Sequence, residues 1–138
     1  MTVHAFIDGA SRNNPGDAGV GIILKDEHGA TLKKEFGYIG KATNNSAEYH
    51  AFLACLKLAQ TLPCKKLIVH SDSELLVRQM NGQYRVKDAG LRRYVVRAKK
   101  LIQSAPFEVE VKHIVREQNR EADQLANIGI DTKWRMNV

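Results

Sequence analysis

Four acidic side chains stand where this chain would otherwise be apolar. Asp8 closes an alternating run, Thr2-Val3-His4-Ala5-Phe6-Ile7-Asp8, that reads as a half-buried strand. Glu48 sits inside an apolar helical stretch, Asp72 follows a second apolar strand, and Asp123 lies in a short Ala/Leu-rich helix. A carboxylate at a core edge needs a partner or a metal, because taking its charge out of water is costly. Four of them in such settings point to one acidic site for hard divalent cations, which prefer oxygen ligands.

The elements between these residues must carry them together. The run from Val3 to Asp8 is the first strand, and a glycine turn over Gly9–Gly16 follows it. Gly19–Lys25 is a second strand, Asp26-Glu27-His28-Gly29 a hairpin turn, and Thr31–Ile39 a third strand. Thr43-Asn44-Asn45-Ser46 supplies side-chain oxygens suited to capping a helix that runs to about Gln60 and stops near Pro63. Its apolar residues Ala47, Ala51, Phe52, Ala54, Cys55, Leu58 and Ala59 cover more than one stripe, so it should be largely buried. Lys66–Ser71 reads as a fourth strand and Ser73–Met80 as a helix, with a break at Asn81-Gly82. A helix over Asp88–Ser104 places Leu91, Tyr94, Val95, Ala98 and Ile102 at helical spacing. After Pro106, Phe107–His113 alternates as a fifth strand, and a last helix spans Asn119 to about Gly129. Hairpins first, then strand–helix alternation, imply an α/β fold with a mixed sheet and helices on its faces. Ligands collect at the carboxyl ends of strands in such sheets, where Asp8 and Asp72 are expected. With Glu48 and Asp123 added over that edge, the oxygens would form a cage for Mg²⁺ or Mn²⁺.

Composition narrows the setting. The 138 residues suit one domain, with 131–138 as a C-terminal tail that includes Trp134. Hydrophobic residues make up 43% and charged residues 26%, enough for a core and too apolar for a disordered chain. No apolar run is long enough to span a bilayer, and no basic stretch leads into an apolar segment, so a cytoplasmic location is expected. Cys55 and Cys64 are expected to stay reduced, and neither has a metal-ligand spacing. The net charge of +6 suits either attraction to a polyanion or a solubilising surface. His4 and His70 share strand parity with Asp8 and Asp72 and read as satisfied interior histidines rather than ligands.

Four segments carry a family likeness: Ile7-Asp8-Gly9-Ala10-Ser11 with Asn14-Pro15-Gly16; Thr43-Asn44-Asn45-Ser46-Ala47-Glu48; Ser71-Asp72-Ser73; and Asn119-Arg120-Glu121-Ala122-Asp123-Gln124-Leu125-Ala126. In order and over nearly the whole chain, they resemble the type 1 ribonuclease H family. The resemblance implies a ribonuclease H-like five-stranded mixed sheet, order 3-2-1-4-5 with the first three strands antiparallel and helices on both faces. It also implies hydrolysis of the RNA strand of an RNA–DNA hybrid to a 5′-phosphate and a 3′-hydroxyl. Asp8, Glu48, Asp72 and Asp123 would hold two Mg²⁺ ions once substrate is bound, with Mn²⁺ as a substitute. Asp8 would bridge both; Asp123 would serve the ion near the attacking water, and Glu48 and Asp72 the ion near the leaving 3′-oxygen.

By the same resemblance, Asn14, Asn44 and Asn45 would line the substrate groove, and Gly9 and Ala10 would offer backbone groups to the RNA strand. Lys41 and Thr43 stand where relatives bind a DNA-strand phosphate, and Glu48 would also meet a 2′-hydroxyl. Loop and helix-cap chemistry is an equally available role for the asparagines. Many relatives carry a mobile histidine before the last catalytic Asp. Here Arg116 stands in that loop and takes the auxiliary role, electrostatic because an arginine does not deprotonate; His113 ends the fifth strand and reads as a packing or hydrogen-bonding residue. Only Gln83-Tyr84-Arg85-Val86-Lys87 stands where many bacterial relatives carry a basic protrusion. Arg92, Arg93, Arg97, Lys99 and Lys100 on the following helix are either a solvated face or a substitute grip on phosphates. The expected partner is an RNA–DNA hybrid, bound by a monomer, with no membrane involved.

Overall fold

The structure is a computed structural model that describes residues 1–136. Alternation divides strand β1 (Thr2–Ser11) between two faces: Val3, Ala5 and Ile7 are fully buried, while His4 and Phe6 are half-buried on the other side. β1 pairs antiparallel with β2 (Gly16–Lys25), and β2 with β3 (Thr31–Ala42). On its other side β1 runs parallel to β4 (Lys66–Ser71), which runs parallel to β5 (Glu108–His113). The order is β3-β2-β1-β4-β5. Helix α1 (Asn44–Ala59) packs on β1 and β2, and α3 (Ala89–Ser104) packs on α1. Helix α4 (Arg120–Thr132) crosses β1, β2 and β3 on the opposite face, and the short α2 (Glu74–Met80) sits between β4 and α3 in the chain. This is the five-stranded mixed sheet expected from the sequence, with its first three strands antiparallel and helices on both faces.

The local signals explain most of these elements. Thr43 caps α1, its hydroxyl accepting from the Ser46 amide at 3.1 Å. Ten of the sixteen α1 residues are buried, as its all-round apolar pattern requires. Ser73 and Asp88 cap α2 and α3 in the same way. Each large apolar side chain taken from water contributes roughly 1.5–3 kcal/mol, and Ile7, Ile22, Leu24, Phe52, Leu56, Leu67 and Val69 make one continuous core under α1.

Some boundaries depart from the sequence reading. β1 does not end at Asp8 but continues to Ser11, and β2 begins at Gly16, because the antiparallel ladder holds as far as Ser11 opposite Ala18. β3 likewise extends to Ala42, opposite Gly16. α4 runs past Gly129 to Thr132, since Gly129 lies flush against Gly37, where a Cβ would come within 2.5 Å of its carbonyl oxygen. Two residues of the expected tail are therefore helical. The left-handed Lys133 (φ 52°) ends α4, and the Tyr38 amide donates to the Trp134 carbonyl at 2.6 Å, docking the chain on β3 while the Trp134 ring stays 62% exposed. Residues 137 and 138 of that tail lie outside the described residues. His4 and His70 are half-buried rather than interior; they meet each other, Nδ1 to Nε2, at 3.1 Å, and His70 stacks on Phe6. Cys55 and Cys64 are buried free thiols. Among the described residues no helix is long and apolar enough to cross a membrane.

Candidate active site

The sheet narrows where the four acids meet. β4 ends at Ser71, which pairs with Ile7, while β1 continues alongside β2 alone. Asp8 is thus inside a strand, not at its end, but it is the first β1 residue with no β4 neighbour. Asp72 follows β4 directly. The notch left beyond β4 is open to both faces of the sheet, so α1 can reach it from one face and α4 from the other.

Two glycines permit that approach. A Cβ on Gly9 would lie 2.2 Å from the Ala47 carbonyl carbon and 2.4 Å from the Glu48 nitrogen, so only glycine lets the first turns of α1 rest on β1. In return the Gly9 amide donates to a Glu48 carboxylate oxygen. On the opposite face Gly21 pairs with Asp8, and a Cβ there would lie 2.2 Å from the Ala122 carbonyl oxygen. Its absence lets α4 bring Asp123 down over β1. Asn119 then pins the entry to α4: its Nδ2 donates to the Ile7 carbonyl at 2.8 Å, one residue before Asp8. Asn127, one turn beyond Asp123, donates to the Asp123 carbonyl at 3.0 Å and to its Oδ1 at 3.4 Å.

One carboxylate oxygen each from Asp8, Glu48 and Asp72 lie within 4.8 Å of one another. Asp123 stands outside that tight triad but lines the same cleft, whose volume is about 280 Å³, and its charge also raises Asp8. Asp8 and Glu48 are only 6% and 7% exposed, Asp72 is half-buried and Asp123 is exposed. Burial is the largest cause holding the Asp8 carboxyl far above the usual carboxylate range, and the charges of Glu48 and Asp72 add to it. Burial also raises Glu48, against the pull of the Gly9 amide and the Arg116 guanidinium. Acids so crowded are short of positive charge. Their donors are all hard oxygens, a set that suits Mg²⁺ or Mn²⁺ rather than a soft metal.

The cleft also gathers Gly9, Ala10, Asn44, Asn45 and Arg116, all singled out in the sequence. Arg116 lies in a short 3₁₀ turn, Arg116–Gln118, between β5 and α4. Asn14, Lys41 and Thr43 do not line it. Asn14 Oδ1 accepts from the Asn44 amide at 2.9 Å, and Asn44 Oδ1 accepts from the Ser11 amide at 2.8 Å, so these two asparagines hold the β1–β2 turn against the start of α1. Thr43 is spent on its cap. His113 is exposed and shares a separate groove with Arg78 and Gln83.

Sequence reasoning missed Ser73, which lines the cleft, and the positioning roles of Asn119 and Asn127. Asn127 carried a usable signal, one turn after an acid; Asn119 read only as the start of a helix, yet its side chain makes no cap bond to α4.

Residues 6–129 match the family model described as "Reverse transcriptase-like". The chain is 40% identical over 129 residues to Ribonuclease HI of Halobacterium salinarum, covering 94% of this chain and 64% of the relative. It is 38% identical to the bifunctional protein Rv2228c of Mycobacterium tuberculosis, covering 95% of this chain but 36% of that protein. The chain therefore spans less than two thirds of these relatives' own lengths. The crystal structure of RNase H1 from Halobacterium salinarum superposes with a TM-score of 0.91 at 39% identity, covering 96% of this chain and 99% of that one. LC11-RNase H1, isolated from compost and crystallised in complex with an RNA/DNA hybrid, superposes at 0.89 with 37% identity, covering 94% and 97%. With the acids, the notch and the strand order all built on the fold these relatives share, the chain belongs to the ribonuclease H family.

Proposed function

We propose that the chain is a metal-dependent endonuclease that hydrolyses the RNA strand of RNA–DNA hybrids, leaving a 5′-phosphate and a 3′-hydroxyl. The observation that carries this reading is the convergence of Asp8, Glu48 and Asp72 within 4.8 Å in one cleft that also takes Asp123. Those four side chains would hold two Mg²⁺ ions with the hybrid bound, Mn²⁺ serving as a substitute. Bound there, such ions supply positive charge to the entering and leaving oxygens of an already anionic phosphodiester.

The chain's own groups do the rest. Gly9, Ala10, Asn44 and Asn45 line the cleft and would position the RNA strand. Glu48, fixed by the Gly9 amide, has an oxygen to spare for a 2′-hydroxyl, the group that distinguishes RNA from DNA. Arg116 reaches the cleft as a permanent cation and offsets charge without moving a proton. Asn14 braces the start of α1 at the edge of the cleft, and Lys41 and Thr43 would serve a DNA-strand phosphate. We assign this activity to a single monomeric domain.

The test is a hybrid carrying end labels on each strand, incubated with Mg²⁺. The expected outcome is RNA cut internally to 5′-phosphate products with the DNA strand intact, and no cutting in EDTA or by Asp72→Asn. Intact RNA with the wild-type chain, or cutting that survives Asp72→Asn, would refute the reading.

A further inference from the structure

We propose that the outer face of α3 is a binding surface for the phosphate backbone of the hybrid, outside the cleavage cleft. The proposal rests on the hybrid reading above for its choice of ligand, though not for its geometry. Within α3 stand Arg92, Arg93, Arg97, Lys99 and Lys100, with no acidic residue among its sixteen. All five are exposed, and none of them enters an ion pair among the described residues, although Arg12, Lys25, Lys34, Lys66, Arg78, Lys112 and Lys133 all do. Residues three and four apart are neighbours on a helix. Arg93, Arg97 and Lys100 therefore form one stripe, and like charges so placed repel unless an anion lies across them.

A second feature extends the stripe. Arg97 also lines a cavity of about 310 Å³ between α1 and β3, together with Lys57, His50 and Arg135, and no carboxylate lines it. Cations from three separate parts of the chain thus border one hollow, a seat for a phosphate group.

Tyr94 stacks on Tyr49 and meets His50 at 3.0 Å, so α3 runs beside α1 with Arg92 and Arg93 next to that contact. Tyr49 is itself the residue after Glu48. The cleft is acidic and by itself repels a polyanion, so affinity for one has to come from cations outside it. From Arg93 to Lys100 the helix rises about 10 Å, roughly three nucleotide steps of one strand. An anionic membrane fits less well, because Val96 is the stripe's only large apolar residue and nothing aromatic accompanies it.

The experiment measures equilibrium binding of a fluorescent RNA–DNA hybrid in EDTA across a salt series, so no cleavage is needed. Arg93→Gln/Arg97→Gln should weaken binding and flatten the plot of log affinity against log salt by about 0.9 for each phosphate no longer neutralised. Lys99→Gln/Lys100→Gln, which leaves the cavity untouched, should flatten it in the same direction. Lys65→Gln/Lys66→Gln, which removes two charges from the opposite end of β4, should leave the slope as it is. An unchanged slope in both α3 variants, or an equal change in the Lys65/Lys66 variant, overturns the proposal. So does a loss of binding to phosphatidylglycerol vesicles in the α3 variants while hybrid binding stays intact. Failure of the wild-type chain to cut the hybrid would sink the proposed activity instead, and the salt slopes would still decide the role of α3.

Discussion

The cleft and the outer face of α3 each crowd charges of one sign, but they resolve the crowding differently. In the cleft, Asp8 and Glu48 are buried, so each bare charge is penalised by lost hydration and by its neighbours, and their carboxyls are held above the usual range. On α3 the five cations stand in water, where solvent screening makes their mutual repulsion cheap. The buried cluster calls for a small ion at a fixed place. The exposed one can wait for a long, mobile polyanion. Burial, not the number of charges, sets which kind of partner each region demands.

The buried acids should give the largest effect. Asp8→Asn should lower cleavage of the hybrid by roughly a thousandfold or more, about 4 kcal/mol of barrier, with the fold intact by circular dichroism. Retained activity would show that the buried cluster is not the reacting centre. Next comes Gly9→Ala. Its Cβ would meet the backbone of α1 at 2.2 Å, so overpacking should cost about 3 kcal/mol by denaturant titration and should also depress activity; a wild-type midpoint would contradict the close approach described above.

The third test follows pH. A carboxyl whose pKa is higher in the folded than in the unfolded chain binds its proton more tightly when folded. Its contribution to stability is complete below the unfolded value near pH 4 and is lost as pH rises toward the folded one. With Asp8 and Glu48 both raised, the chain in EDTA should melt at lower temperature at pH 8 than at pH 5. Asp8→Asn should flatten that decline, and Mg²⁺ should raise the melting point more at pH 8 than at pH 5. A metal-free chain that grows more stable over that range would reverse the electrostatic picture.

Smaller effects sharpen the contrast. Arg116→Ala should slow turnover by about tenfold, or about 1.4 kcal/mol, with stability unchanged; an unaltered rate would remove Arg116 from the site. Neutralising Lys99 and Lys100 should move stability by less than about 0.5 kcal/mol, because α3 holds to α1 through Leu91, Val95 and Ala98 rather than through its charged face.

Much of this was legible in the residues. The capping oxygens of Thr43–Ser46, the all-round apolar α1 and the two-residue alternation of β1 are local signals, and each produced its element; Ser73 and Asp88, read as the first residues of their helices, are their caps. The four acids were legible too, because a charge inside an apolar pattern is conspicuous. The notch was not. It depends on β4 stopping opposite Ile7, and the register between strands some sixty residues apart leaves no mark on either one. Gly9 misled for a related reason: a glycine after a strand reads as a turn, whereas this one continues the strand and makes room for a helix. Asn119 was hidden because its partner, the Ile7 carbonyl, lies 112 residues away.

The most direct measurement of the central claim is the anomalous signal of Mn²⁺ in crystals of the wild-type chain. Manganese seated among Asp8, Glu48, Asp72 and Asp123, and lost in Asp8→Asn, is the predicted result. Manganese bound elsewhere with that cleft empty, or signal there unaffected by Asp8→Asn, would contradict it.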